Sequence, residues 1–469
     1  MAAMIVLSCL SCSETWSGPA SAIQNDVQGR TVISVGGGAV LPLFLSLNAQ
    51  TGAVAAHNWT NFDYQMQLAA SAQMPLLEVC LLDTTPAFLT ELAQHVAVFP
   101  GYLIFRIDLY ASEDLPRTVG QDEHGHEIDS AFYTLSPAWL SRKEQELRTL
   151  LPVLDAMFPG KLVAVRPTYL ETGEWFYVPT TKAGGAPGTN GSFPWNSDLF
   201  FYGDYSVEAH AEFCAWPGLP PALQTNCSIP TAAVRLAANL GNTFAEGADA
   251  ESARAILFTR FLAVRVATAI IALAQVIKDV SGGKLLSMFF YGYLFELGWD
   301  VTAGHHALGL LLNAPEIDIL SAPYSYGISR TVSVGFQPHG PADSLTTAGK
   351  LFVHEDDTRT CLCGAEPACT SDSFWKAHNL SDSVALIRRN GLTAMLRGNG
   401  LYYFDLYGYG WFGRPDSRGT SEALWRAVSS VVEAAQRLDH SQPTAFLPQV
   451  LVVLRRSTAP VLHALHRAA

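Results

Sequence analysis

Charge is scarce in this chain. Only 15% of its 469 residues are Asp, Glu, Lys or Arg, and 29 basic residues face 42 acidic ones. No Lys/Arg run tracks a helix, so nucleic acid is not expected as a partner. The formal charge of −13 suits neutral or cationic substrates better than anionic ones, although a net charge says little about one local site. No Gly-X-Y or heptad register occurs, which excludes collagen-like and coiled-coil architectures. Hydrophobic residues reach 49%, so a mostly disordered chain is excluded as well. No Gly-X-Ser-X-Gly elbow accompanies a His/Asp arrangement, which disfavours a serine hydrolase. The Asp122–Glu127 stretch could bind a metal but sits in a polar loop with no second ligand cluster, and His305-His306 begins a helix, where adjacent residues do not share a face. Neither metal nor cofactor is expected. The most apolar long segment, Ala255–Ile277, carries Arg260 and Arg265 and repeats at helical spacing, so it reads as a buried amphipathic helix and not a membrane span.

Cysteine is sparse but informative. Of eight, Cys80 sits in an apolar run and reads as a buried thiol, while Cys214 and Cys227 bracket a Pro-rich loop and can bridge. Cys361, Cys363 and Cys369 crowd one short loop, where a disulfide is the better reading than zinc. Residues 1–22 hold an apolar run from Met4 to Leu10 and small residues at Ala20-Ser21-Ala22, which resembles a secretory signal without its usual basic start. Sequons stand at Asn58, Asn190, Asn226 and Asn379. Together these features predict a secreted protein.

What the chain does have is alternation. Eight strand-like runs are Leu41–Leu47, Pro75–Leu82, Tyr102–Leu109, Lys161–Tyr169, Lys284–Tyr291, Ile317–Ser321, Lys350–His354 and Gly400–Asp405. Helical patterns separate most of them: Asn61–Ser71, Ala87–Val98, Ser141–Phe158, Glu251–Val280, Val301–Leu312, Ser381–Arg397 and Thr420–Leu438. Ser141 and Glu144 form a candidate capping box. Such alternation means a parallel sheet, and eight units favour a closed (β/α)8 barrel over an open doubly wound sheet. Gly36-Gly37-Gly38 precedes a strand and not a helix, so it marks an N-terminal β-hairpin and not a phosphate loop; no dinucleotide fingerprint follows the first strand. The expected organisation is one barrel over residues 23–440, with a tail at 441–469 packing on it.

Two acidic clusters end predicted strands 4 and 7: Glu171-Thr172-Gly173-Glu174-Trp175 and Glu355-Asp356-Asp357-Thr358-Arg359. Strand ends of a closed barrel face one pocket. Two carboxyls across it suit glycoside hydrolysis, one as proton donor and one as nucleophile at ~5 Å or as base at a wider gap. Glu174 and Glu355 are the candidate catalytic pair, with Glu171 as the alternative acid. Their bland alternatives are a solvated loop carboxylate for Glu174 and an Arg359-paired strand end for Glu355. Candidate substrate-binding residues are Arg106, Trp175, Tyr291, Tyr324, Arg330, Asp357, Arg359 and Asp405. Arg330 can instead pair with Asp343, and Asp405 can instead anchor its loop. Arg166, inside strand 4, requires a carboxylate partner. Aromatics make up 11% of the chain, many in Gly-rich loops, and Trp175, Trp299 and Trp411 are candidate stacking platforms for a carbohydrate.

These residues resemble a known family. Thr172-Gly173-Glu174-Trp175, Asp204-Tyr205-Ser206 followed by Phe213 and Trp216, Phe290-Tyr291-Gly292-Tyr293, Ser321–Tyr326 and Gly349–Thr360 are similar to bacterial proteins related to glycoside hydrolase family 42, the β-galactosidase-like group. The resemblance covers about Thr31 to Pro415. It implies a retaining barrel enzyme acting on β-galactoside-like bonds, with Glu174 as acid/base and Glu355 as nucleophile. Family members usually carry Asn before the acid/base, where it contacts the sugar 2-hydroxyl; this chain carries Gly173. A carbohydrate-binding barrel without catalysis is the alternative reading.

Overall fold

The computed structural model describes residues 16–26, 31–49, 58–109, 120–122, 124–127, 134–170, 172–177, 179–182, 200–231, 234–235, 249–295, 304–364, 369, 376–405 and 408–438. Eight strands close into a parallel barrel: Leu43–Asn48, Leu76–Leu81, Tyr102–Asp108, Leu162–Thr168, Leu286–Phe290, Ile319–Pro323, Leu351–Asp356 and Gly400–Phe404. Each pairs with its sequence neighbour, and the fourth and fifth pair as well as the eighth and first. They are numbered strands 1 to 8 below. The chain is a (β/α)8 barrel, as the alternation predicts. The strands are buried on both faces because helices cover the outside and side chains fill the inside.

A separate three-stranded antiparallel sheet, Ser21–Asn25, Thr31–Val35 and Gly38–Val40, contains the predicted hairpin. Its turn needs Gly36 and Gly37 at φ of 56° and 88°, a region that glycine enters without strain. Trp16 is buried, and its carbonyl accepts from Lys284 Nζ at 2.7 Å. The boundary expected after residue 22 therefore cuts through a strand that is part of the fold. The 441–469 tail lies outside the described residues.

The helices depart from expectation in two places. The third begins at Pro137, with Ser136 as its cap accepting from the Trp139 N–H at 3.2 Å. The Ser141/Glu144 box is therefore interior and unused; Pro137 pre-sets the first turn. The helix expected over 301–312 is the short Leu308–Asn313 among the described residues. The long apolar helix spans Ala250–Ser281, from an Asp249 cap to Gly282 at φ 61°. It is long and apolar enough to cross a membrane, yet 56% of its most apolar window is buried inside the protein. It packs along the helix Pro137–Met157 and strand 5, and its Arg265 is tied to Asp204 and Glu212 at 3.4 and 2.9 Å.

Disulfides join Cys214 to Cys227 and Cys363 to Cys369, which is the chemistry of an oxidising compartment. Cys80 is a buried free thiol and Cys361 a partly exposed one.

Candidate active site

The barrel interior explains where the site stands. Side chains alternate along a strand, so one parity faces the lumen. Ser46, Glu78, Arg166 and Tyr402 meet there. Ser46 donates to Glu78 at 2.5 Å, and Arg166 forms an ion pair with Glu78 at 2.6 Å with both side chains fully buried. Arg166 Nη1 then donates to the Tyr402 hydroxyl at 2.7 Å. Arg166 does require a carboxylate, and Glu78 on strand 2 is the partner that the sequence reading missed. The Phe290 ring lies between two guanidiniums, 4.6 Å from Arg166 and 5.2 Å from Arg106, which keeps these adjacent cations apart.

Glu355 is the last inward residue of strand 7, in register with Tyr402 on strand 8. The Tyr402 hydroxyl donates to Glu355 Oε2. Burial keeps that phenol protonated, far above its ordinary range, so it remains a donor. Glu355 itself is pushed up to about 8, first by burial and then by the charges of Asp357 and Glu174.

Glu174 reaches the same mouth from an unusual loop. Leu170, Thr172, Gly173 and Trp175 all take left-handed φ, at 61°, 56°, 75° and 65°. Three of these are not glycine, and such local cost persists where surrounding contacts over-determine it. Those contacts are visible. Trp175 N–H donates to the Tyr169 carbonyl at 2.9 Å, and its indole N–H to Pro167 at 3.2 Å. His305 is held neutral, its pKa pulled down to about 3 by burial. Its Nε2 lies 3.0 Å from the Glu174 carbonyl, which can only accept, so the proton sits on Nε2. The Glu174 carboxyl accepts from Thr172 Oγ1 and from the Tyr293 hydroxyl, the latter at 2.7 Å. Burial raises its pKa, and the two donors and Arg106 oppose that rise.

The remaining candidates divide into two layers. Arg106 lies in the mouth, half-buried between the Phe290 and Phe404 rings. Asp357 accepts from Arg330 at 2.5 Å, from Arg359, and from the Tyr326 hydroxyl at 3.2 Å. Burial alone would raise its pKa, but Arg330 and Arg359 hold it below the ordinary value. Arg330 therefore pairs with Asp357 and not Asp343, and Arg359 pairs with Asp357 and not Glu355. Tyr324 is fully buried, its hydroxyl 2.9 Å from Thr358 Oγ1 and its ring under Arg330, so it buttresses the site from behind.

Four expectations meet packing instead of an open face. Trp175 is fully buried between Tyr169 and Phe289 and offers no platform. Trp411 is fully buried beneath Arg359. Tyr291 points outward, its hydroxyl donating to the Gly304 carbonyl at 2.8 Å and accepting from Ala307 N–H; Tyr293 and Tyr402 are the tyrosines on the carboxyl pair. Asp405 is the anchor of its loop, accepting from Gly410 and Trp411 N–H groups and from Gln65 at 2.6 Å. Glu171, Glu296 and Trp299 lie outside the described residues. Among the described residues no group of three His, Cys, Asp or Glu side chains is placed to hold a metal.

Fold and site together define a class: a (β/α)8 barrel with a buried, mutually repelling carboxyl pair at the C-terminal mouth. No family model matches the chain, and no curated protein matches it. Solved structures similar to it include the catalytic domain of a β-amylase from Paenibacillus polymyxa, with 11% identity, 84% of this chain and 99% of that one covered, and a TM-score of 0.49. An endo-1,4-β-mannanase from Rhizomucor miehei aligns at 10% identity over 88% and 100% of the chains, with a TM-score of 0.45. A D-allulose 3-epimerase from Methylomonas sp. aligns at 12% identity over 89% and 100%, with a TM-score of 0.36.

Proposed function

We propose that this protein is a retaining glycoside hydrolase, with Glu174 as acid/base and Glu355 as nucleophile. The supporting observation is the coupled pair: each carboxyl is raised by burial, and Glu174 adds its repulsion to Glu355. Two such groups titrate together, and the apparent values belong to the pair. One protonated and one ionised carboxyl is the state that double displacement needs.

In the first step Glu174 gives its proton to the glycosidic oxygen, the bond from that oxygen to the anomeric carbon breaks, and Glu355 forms an ester to the same carbon. In the second step Glu174 takes a proton from water, whose oxygen displaces Glu355 and releases the sugar. Tyr402, backed by Arg166, donates to Glu355 and favours its anion. Thr172 and Tyr293 fix the direction of the Glu174 carboxyl. β-Galactosides are the first substrates to try, on the residues that resemble family 42.

A second reading, carbohydrate binding without turnover, is favoured by Gly173. A Cβ there would stand 2.9 Å from Arg106 Nη2, at a φ of 75°. No side-chain donor precedes the acid/base in this chain. The test is turnover of aryl β-glycosides, with the anomer of the first-formed product read by NMR. Retention supports the first reading, inversion removes the nucleophile role of Glu355, and sugar binding without turnover supports the second.

A further inference from the structure

Arg106 is chemically under-used. It ends strand 3 in the mouth, close enough to the Glu174 carboxyl to bear on its ionisation. Its guanidinium is wedged between aromatic rings, with centroids at 5.2 and 5.6 Å. Among the described residues it makes one hydrogen bond, from Nη2 to the Thr172 carbonyl at 3.2 Å. Among the described residues no carboxylate lies within ion-pair distance, whereas Arg166, Arg265, Arg330 and Arg359 each hold one. The nearby acids take their hydrogen bonds from other donors, Glu174 from Thr172 and Tyr293 and Asp108 from Thr168 at 3.2 Å, while the charge of Arg106 acts on both through space. None of the Arg106 nitrogens is among the sealed, unsatisfied atoms of the interior, and the residue is half-buried.

The seat of this guanidinium is also built. Gly173 leaves it room, since a Cβ would meet Nη2 at 2.9 Å and Thr168 Cβ at 3.2 Å. A guanidinium offers five donors in a rigid fork that matches planar or tetrahedral oxyanions. Glu78 and Asp108 act on its charge through space, but among the described residues no carboxylate contacts it, so a ligand oxyanion would be its direct partner.

We propose that Arg106 recognises an anionic group on the bound sugar, a carboxylate or a sulfate ester, so that the substrates are acidic glycosides. This rests on the carbohydrate reading of the mouth and sharpens it. The overall charge of −13 opposes such a ligand at long range, and the Glu174/Glu355 pair opposes it nearby, so direct pairing with the Arg106 fork has to outweigh both.

The test is calorimetric binding to the Glu355→Gln protein of three probes: an aryl β-galacturonide, an aryl 6-sulfo-β-galactoside and an aryl β-galactoside. At least tenfold tighter binding of one anionic probe over the neutral one is expected, and which probe wins tells carboxylate from sulfate. Adding Arg106→Gln should erase that advantage. Adding Gly173→Ala, which crowds the guanidinium and keeps its charge, should reduce it. Equal binding of all three probes, no binding of any, or an advantage that survives Arg106→Gln in a protein with a native circular dichroism spectrum would overturn the proposal. Wild-type turnover separates the two readings. Arg106-dependent binding without turnover leaves this inference standing and removes the hydrolase. Turnover of neutral glycosides without anion preference does the reverse.

Discussion

The Tyr402 hydroxyl donates to Glu355 Oε2 and accepts from Arg166 Nη1 at 2.7 Å. The phenol thus links Glu355, the proposed nucleophile, to a guanidinium buried on the far side of the lumen, and that guanidinium is itself fixed by Glu78 at 2.6 Å. Four strands contribute to one chain of contacts. Tyr402→Phe removes the donor and leaves the ring. A hydrogen bond to a charged group contributes about 1.5–3 kcal/mol, so kcat/KM should fall by about 10–100-fold. The acid limb of the pH profile should also move up, because the Glu355 anion loses its donor. A pH profile unchanged in shape would assign Tyr402 to packing alone.

The ion pair below it should matter for stability. Glu78 and Arg166 are both fully buried. Removing one partner of such a pair costs about 3–5 kcal/mol, because the other charge is left uncompensated. Glu78→Gln should therefore lower the urea midpoint markedly. The paired replacement Glu78→Gln with Arg166→Met should recover much of the loss. Equal destabilisation by single and double variants would refute this account.

The pH dependence follows from the shared proton. The pair must have lost one proton and kept the other. Activity should rise from acid pH, hold across neutrality and fall as pH climbs through about 8, where the second proton leaves. Rate profiles on a good aryl glycoside check this; activity still climbing well above pH 8 would contradict it.

Linkage gives a stability test of the same groups. The coupled pair keeps a proton in the folded state up to about 8, so folding favours its protonated form. That contribution is fully present below the unfolded value, near ~4.3, and is lost as pH rises towards about 8. Glu355→Gln should thus raise Tm relative to wild type at pH 8 and change it little at pH 4. Differential scanning calorimetry at both values decides.

Much of the fold was legible. Apolar runs bounded by Gly, Pro and polar turns placed all eight strands, because parallel strands are buried on both faces and stand out in composition. Helix starts were less legible: Ser141 with Glu144 read as the cap, whereas the helix starts one turn earlier at Ser136-Pro137. In the site, Glu174 and Glu355 were visible as acids at strand ends. Their partners were not. Which tyrosine meets Glu355 depends on register, and the pairing of Glu355 with Tyr402 follows from how strand 8 slides on strand 7. Tyr291 and Tyr293 differ by two residues, yet Gly292 at φ 88° turns the chain between them. Trp175 was misread as a platform because nothing local announces the left-handed residues that turn it inward.

The most direct measurement is hydrolysis of a panel of aryl β-glycosides, neutral and acidic, by wild type and by Glu355→Gln. The account predicts turnover of at least one sugar by wild type and its loss in the variant, with the variant still binding that sugar. Turnover undiminished in Glu355→Gln, or no turnover of any member by a wild-type protein that binds them, would contradict it.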